Sequence, residues 1–178
     1  INTNLSTSNV HDLANVIQPE KILYIHAALH IMERERRKDG IKNFVDKCLY
    51  LQEKGFYIIL EYVAYPPLLS RIAKDLDYFR SQGISNFNIK IFRGKYYGKL
   101  YPESYTNYEK NLIVNSDSSI FEKNILQKEF NFFGKLCFAG QKYFSMDPAG
   151  NLTRCGFLRN KYGNFFTGKY HFDESPKP

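Results

Sequence analysis

The sequence predicts an α/β protein in which parallel strands alternate with helices over the first two-thirds, with a small β-hairpin unit behind them. Three observations carry that prediction. Apolar residues alternate with period two over 22–30, 56–64 and 87–93, as strands do. Between them the apolar spacing changes to that of helices: Ile41, Phe44, Val45, Cys48 and Leu51 form one stripe, and Leu68, Leu69, Ile72, Ala73, Leu76 and Phe79 another. Finally, two alternating segments flank Asp147-Pro148-Ala149-Gly150, a turn sequence that makes residues 142–155 a hairpin. Strands separated by helices pair in parallel through right-handed crossovers. The outcome is either part of a (β/α) barrel or an open doubly wound sheet.

Taken in order, Ile1 to Leu5 begins like the tail of a strand running into a turn, and Ser8 to Gln18 forms a short helix closed by Pro19. After the strand at 22–30, Glu33-Arg34-Glu35-Arg36-Arg37-Lys38 interleaves acid and base, the pattern of a solvated helix face. The helix at 41–54 stops at Gly55, a C-terminal cap residue. Pro66-Pro67 opens the helix after the second strand, where a missing N–H costs nothing, and Gly83 ends it. The basic, tyrosine-rich segment Arg93 to Pro102 is either a flap over a ligand or a surface excursion. Thr106 with Glu109 and Ser119 with Glu122 are capping boxes, so 106–134 is expected to be a helical linker between residues 1–105 and a C-terminal unit, 135–178.

Composition narrows the class. With 43% hydrophobic and 16% aromatic residues the chain can bury a core. No apolar run approaches the ~20 residues of a membrane helix, so no membrane is expected as a partner. Three cysteines, an odd number, argue against a disulfide framework and for a reducing, cytoplasmic compartment. The net charge of +7 is partly held in the mixed Glu33–Lys38 run, and no one-sign stripe with stacking aromatics marks nucleic acid as the partner. The chain starts at Ile1 and stops at the linker-like Glu174-Ser175-Pro176-Lys177-Pro178, so it is expected to be an interior fragment of a longer protein.

Two groups of residues carry chemistry. Within the strands, Ile25, Ala27, Leu29, Ile58, Leu60, Tyr62, Ile89 and Ile91 fall on the apolar faces that meet the helices. His26, His30, Glu61 and Lys90 fall on the opposite faces. Ionisable groups from neighbouring strands make either a polar ligand cavity or a self-satisfied set in which Glu61 pairs with Lys90. The second group is Cys137 and Cys155, one before the hairpin and one at its end, where folding brings two thiols towards one point. Soft metal ions and iron–sulfur clusters are gripped in that way. Cys48, on the apolar stripe of its helix, is expected to be a buried inert thiol.

This order resembles the second half of a radical S-adenosylmethionine enzyme followed by an auxiliary-cluster domain of the SPASM or twitch type. Thr3-Asn4-Leu5-Ser6 is similar to the family's strand-end TN(L) stretch, and Ile25-His26-Ala27-Ala28-Leu29-His30 to its SLD/SLH strand. Glu61 to Pro66 and Lys90 to Gly94 stand where the following barrel strands belong. Cys137, a spacer, Gly150, four residues and Cys155, followed by Gly163-Asn164, looks like the opening of the auxiliary domain. The resemblance implies a partial TIM-like barrel with a small cluster-binding domain behind it. It also implies [4Fe–4S] clusters and S-adenosylmethionine as cofactors, an electron donor, and a peptide or small-molecule substrate. Reductive cleavage of S-adenosylmethionine would supply a radical that abstracts hydrogen from that substrate. By resemblance, Asn4, His30, Glu61 and Lys90 hold S-adenosylmethionine or substrate, and Cys137 and Cys155 ligate the auxiliary cluster; no residue is assigned to catalysis.

The sequence departs from the family's pattern in two ways. The CxxxCxxC run and the GGE segment are absent and are expected upstream of Ile1, so the fragment itself is expected to be inactive. Ala28 stands where the family often has serine, so the hydrogen bond of that serine must come from elsewhere. Two other classes compete: a non-enzymatic zinc-ribbon-like module, disfavoured because ribbon cysteines come in close pairs, and a basic α/β domain binding nucleic acid.

Overall fold

The computed structural model describes residues 1–127, 134–156, 158 and 160–177, and the chain divides into two units, Ile1–Glu129 and Phe130–Pro178. The first is built on four parallel strands, β1 (Asn2–Thr3), β2 (Ile25–Ala28), β3 (Ile58–Ala64) and β4 (Phe87–Ile91), which lie side by side in chain order. Helices α1 (Val10–Val16), α3 (Gly40–Glu53) and α4 (Ile72–Ser81) form the crossovers, and a short helix α2 (Ile31–Glu35) follows β2. Consecutive order with crossovers of one hand puts the helices on one face. Phe44, Cys48, Leu51, Leu76 and Phe79 from the helices meet Ile25, Ala27, Ile58, Leu60, Tyr62 and Ile89 there in one core. Each such large side chain contributes about 1.5–3 kcal/mol of burial.

Every expected strand is present and parallel, but shorter than its apolar alternation. Residues 22–24 precede β2 because Pro19–Lys21 winds into a 3-10 turn whose last bond runs from Ile22 N–H to the Pro19 carbonyl, leaving Leu23 exposed. At the other end His30 adopts a left-handed conformation (φ 45°) and starts α2, so it is not a strand residue as its alternation implied. The helix expected from Pro66 is a 3-10 segment, Pro66–Arg71, before α4 begins. Its first bond runs from the Leu68 N–H to the Tyr65 carbonyl, the i to i+3 spacing of a 3-10 turn. The tyrosine-rich segment is a small antiparallel pair, β5 (Gly94–Tyr96) and β6 (Lys99–Tyr101).

The mixed-charge run is not only a solvated face. Arg34 donates from Nε to the Leu29 carbonyl at 2.5 Å and from Nη2 to the Asn4 carbonyl, and its guanidinium lies 4.1 Å from the centre of the Phe44 ring. One side chain thereby ties the ends of β1 and β2 to α3. Gly40 allows the close return: a Cβ there would sit 2.3 Å from the Arg34 carbonyl oxygen. Beside it, Arg71 bridges Glu35 (2.5 Å) and buried Asp75 (2.9 Å), and Asp75 accepts the Tyr62 hydroxyl at 2.6 Å. Burial and the adjacent Asp75 carboxylate raise the Tyr62 hydroxyl pKa, so it stays a donor.

Residues 106–127 pack onto the first unit instead of spanning freely to the second; residues 128–133 of the expected linker lie outside the described residues. They form α5 (Asn107–Val114) and α6 (Ile120–Gln127), which put Ile113 and Leu126 into the core. Thr106 and Glu109 make the complete capping box. Ser119 Oγ accepts the Glu122 N–H at 3.3 Å, but the Glu122 carboxylate turns away from the helix start to take the Ile91 N–H (3.1 Å) and Arg93 (3.1 Å). The Asp117 carbonyl accepts the Ile89 N–H at 3.0 Å. The outer edge of β4 is thus satisfied by the α5–α6 segment, which blocks pairing with a further strand.

The second unit is an antiparallel sheet in the order β10 (Lys169–Tyr170), β9 (Lys161–Asn164), β8 (Asn151–Thr153), β7 (Ser145–Met146). The expected hairpin is β7–β8; the alternation did not reveal β9 and β10. Gly150 has φ +83°, and a Cβ there would lie 2.5 Å from the Phe166 ring, so the turn needs glycine on two counts. Asp173 accepts from the Tyr162 hydroxyl (2.6 Å) and from Lys177 (2.5 Å), and these bonds hold its carboxyl below the usual range. Phe79→Ala is expected to lower the unfolding free energy of the first unit by about 3–5 kcal/mol. Val16→Ala, at an exposed position, should change it by less than about 0.5 kcal/mol. Urea unfolding followed by circular dichroism measures both.

Candidate functional site

Strand alternation puts His26, Glu61 and Lys90 on the sheet face away from the helices, on diagonals of β2, β3 and β4: the residues directly beside Glu61 are Ala28 and Asn88, and His26 and Lys90 each stand two residues from them. They meet there. Glu61 is buried and its Oε1 accepts both the Lys90 ammonium, at 2.7 Å, and His26 Nδ1. Packed edge-on, the Tyr24 ring fixes the His26 imidazole, its centroid 4.7 Å away. A carboxylate buried this far needs such partners to remain charged. The mutual satisfaction expected of Glu61 and Lys90 is therefore present, with His26 as a third member. It coexists with a cavity: these three, with Asn88, Arg93 and Glu122, line an open polar hollow of about 520 Å³ on this face.

A second hollow, of about 480 Å³, lies past the carboxyl ends of β2, β3 and β4. In parallel α/β sheets that edge is the usual ligand site, because the chain leaves each strand there in a loop. His30, Arg36 and Glu33 supply its polar rim, and Met32, Leu68, Tyr65 and Phe92 its apolar wall. The left-handed turn at His30 moves that imidazole from the strand face to the rim. Tyr65 packs edge-on against both Phe92 and Tyr96, each with centroids 5.0 Å apart, so the β5–β6 pair supports the aromatic wall. Glu61 lines both hollows.

Of the four residues assigned to cofactor or substrate, the fold brings Glu61 and Lys90 together and places His30 at the adjoining rim. Asn4 joins neither hollow: its Oδ1 accepts the Ser6 N–H at 3.1 Å, closing a local turn, and its carbonyl accepts from Arg34. Period-two alternation identified Glu61 and Lys90 but missed Tyr105. The Tyr105 hydroxyl donates to the Ala64 carbonyl at 2.5 Å and accepts the Phe92 N–H at 2.9 Å, pinning the ends of β3 and β4 below the aromatic wall. Burial raises its pKa and keeps the proton on. The sole hint in the sequence is a tyrosine just before a capping box.

In the second unit Cys137 is exposed and Cys155 half-buried, and both are free thiols. Cys137 Sγ accepts the Ala139 N–H at 3.4 Å and Cys155 Sγ the Leu158 N–H at 3.3 Å. Hydrogen bonds to sulfur are one lever on the potentials of iron–sulfur clusters. Among the described residues no three His, Cys, Asp or Glu side chains gather to hold a metal ion. No helix among the described residues is long and apolar enough to cross a membrane. No family model, no curated protein and no solved structure matches this chain.

Burial pushes the Cys48 thiol pKa up to about 12, the Arg34 guanidinium opposing only in part. Iodoacetamide at pH 8 is therefore expected to alkylate Cys137 and Cys155 in the folded protein and to spare Cys48 until urea is added. Peptide mass spectrometry reads this, and native labelling of Cys48 would contradict the burial.

Proposed function

We propose that this chain is the substrate-side half of a radical S-adenosylmethionine enzyme, with its sheet forming part of a TIM-like barrel and its second unit the start of an auxiliary iron–sulfur domain. The single observation that carries the proposal is the order of the two units. A consecutive parallel sheet, helices on one face and ionisable residues on the other, precedes an antiparallel unit presenting two free thiols around a Gly150 turn. A consecutive parallel sheet covered on one side is the form of a barrel wall.

Cys137 and Cys155 would supply two thiolates to the auxiliary cluster. The sequence has no CxxxCxxC run, so the cluster that reduces S-adenosylmethionine is assigned to a segment outside these 178 residues. When bound, that cluster supplies the electron that splits the cofactor, releasing a radical that takes hydrogen from the substrate. The chain's own residues bind and orient. Tyr65 and Phe92 offer an apolar wall that excludes water, and His30 and Arg36 offer donors at the rim. Glu61 is held in place by its hydrogen bonds with Lys90 and His26, and it would accept a further hydrogen bond from a ligand.

Full-length protein reconstituted anaerobically with iron, sulfide and a strong reductant is expected to release 5′-deoxyadenosine from S-adenosylmethionine. The 178-residue chain alone should release none. Glu61→Ala or His30→Ala should cut the turnover by about tenfold, the scale of one lost hydrogen bond to a charged group. Chromatography of the nucleoside product measures it. Full-length protein with intact clusters and no 5′-deoxyadenosine would refute the proposal.

A further inference from the structure

Arg154 precedes Cys155 in a position where surface arginines are the rule, yet only 8% of it is exposed. Its guanidinium points across the unit instead of into solvent. Nε donates to the Ala139 carbonyl at 2.9 Å, and Nη2 to the Lys177 carbonyl at 3.1 Å. Ala139 lies two residues from the other cysteine, and Lys177, near the end of the chain, is bridged to it. Ala139 is the residue whose N–H binds Cys137 Sγ, and Lys177 pairs with Cys137 itself through Cys137 N–H to Lys177 O (2.8 Å) and Lys177 N–H to Cys137 O (3.2 Å). On its own side, Arg154 N–H donates to the Asn160 carbonyl and Cys155 N–H to the Leu158 carbonyl, closing the turn that aims Leu158 N–H at Cys155 Sγ.

We infer that Arg154 is a positioning residue that clamps the Cys137 and Cys155 segments together and sets up the two-thiol site before any metal arrives. The inference rests on the assignment of these cysteines as ligands, but the clamp is a property of the polypeptide alone. A short polar side chain could not span the gap, and a lysine would reach one of the two carbonyls with a single ammonium. Arginine's planar fork serves two carbonyls at once without losing charge. Burying a guanidinium is costly unless its N–H groups are satisfied, so the clamp holds only while both segments stay in place.

Phenylarsine oxide, which needs two neighbouring thiols for stable attachment, tests the clamp without iron. Wild-type protein should take up one equivalent at Cys137 and Cys155 and keep it against a monothiol competitor. Arg154→Met should bind about tenfold more weakly or worse, and Arg154→Lys should lie between, the scale of lost charge-assisted hydrogen bonds. Hydrogen exchange at Leu152 and Gly163 reports in the same samples whether the β8–β9 pairing survives. An intact pairing with weakened arsenical binding supports the clamp, and wild-type binding in Arg154→Met overturns it. If the methionine variant loses the pairing, Arg154→Lys decides: pairing kept with weaker binding supports positioning, and pairing lost or binding unchanged overturns it. Tight arsenical binding by a wild-type protein that takes up no iron on reconstitution would reject the cluster assignment and leave the clamp standing.

Discussion

A parallel strand cannot follow its neighbour without a crossover, and crossovers of one hand between consecutive strands cover only one face of the sheet. The first unit depends on that constraint. It sends Ile25, Ala27, Ile58, Leu60 and Ile89 into the core with α3 and α4, and it leaves His26, Glu61 and Lys90 on the opposite face, in an open hollow that Glu122 of α6 helps to line. Polar groups are tolerated there because they meet one another and water. Had the strand order alternated across the sheet, the same side chains would have been pressed beneath helices, at the cost of a buried charge.

Both edges of this arrangement matter for the hollows beside it. At β4, Glu122 and Asp117 take up N–H groups that a further strand would otherwise use, so the sheet ends there by design of the α5–α6 segment. At the carboxyl ends, Tyr105 fixes the spacing between β3 and β4 through two hydrogen bonds of its single hydroxyl. Arg34 does the equivalent for β1 and β2. The aromatic wall of Tyr65, Phe92 and Tyr96 stands on these ties. A ligand entering this hollow would meet a preformed surface, which lowers the ordering cost of binding.

The second unit solves a different problem. Its strands are two to four residues long and give it little apolar core, with Ala139, Leu152 and Tyr162 the buried hydrophobics among the described residues. Polar ties compensate: Asp173 with Tyr162 and Lys177, and Arg154 with the carbonyls of Ala139 and Lys177. Small units of this kind commonly depend on a metal or cross-links for stability. Two free thiols on segments already joined by an arginine are consistent with that need.

The sequence by itself determined the order of the parallel strands and of the crossover helices between them in the first unit, because apolar period and turn residues are local properties. It also determined which side chains share a face: Glu61 and Lys90 were legible as neighbours once parallel pairing was assumed. The Gly150 turn and the burial of Cys48 were legible for the same reason. Tertiary structure alone decided the rest. His30 leaves its strand through a left-handed turn that alternation cannot register. Arg34 and Glu35 look like solvated charges until Leu29, Asn4 and Arg71 are placed beside them. Glu122 reads as half of a capping box and instead closes a sheet edge 31 residues away. Strands β9 and β10 are too short to alternate visibly, and the partners of Arg154 are carbonyls 15 and 23 residues away. Where a hydrogen bond or ion pair decides, as for Arg34 with Asn4, Glu35 with Arg71 and Glu122 with Ile91, it joins residues far apart in sequence, and local pattern holds no record of what lies across the gap.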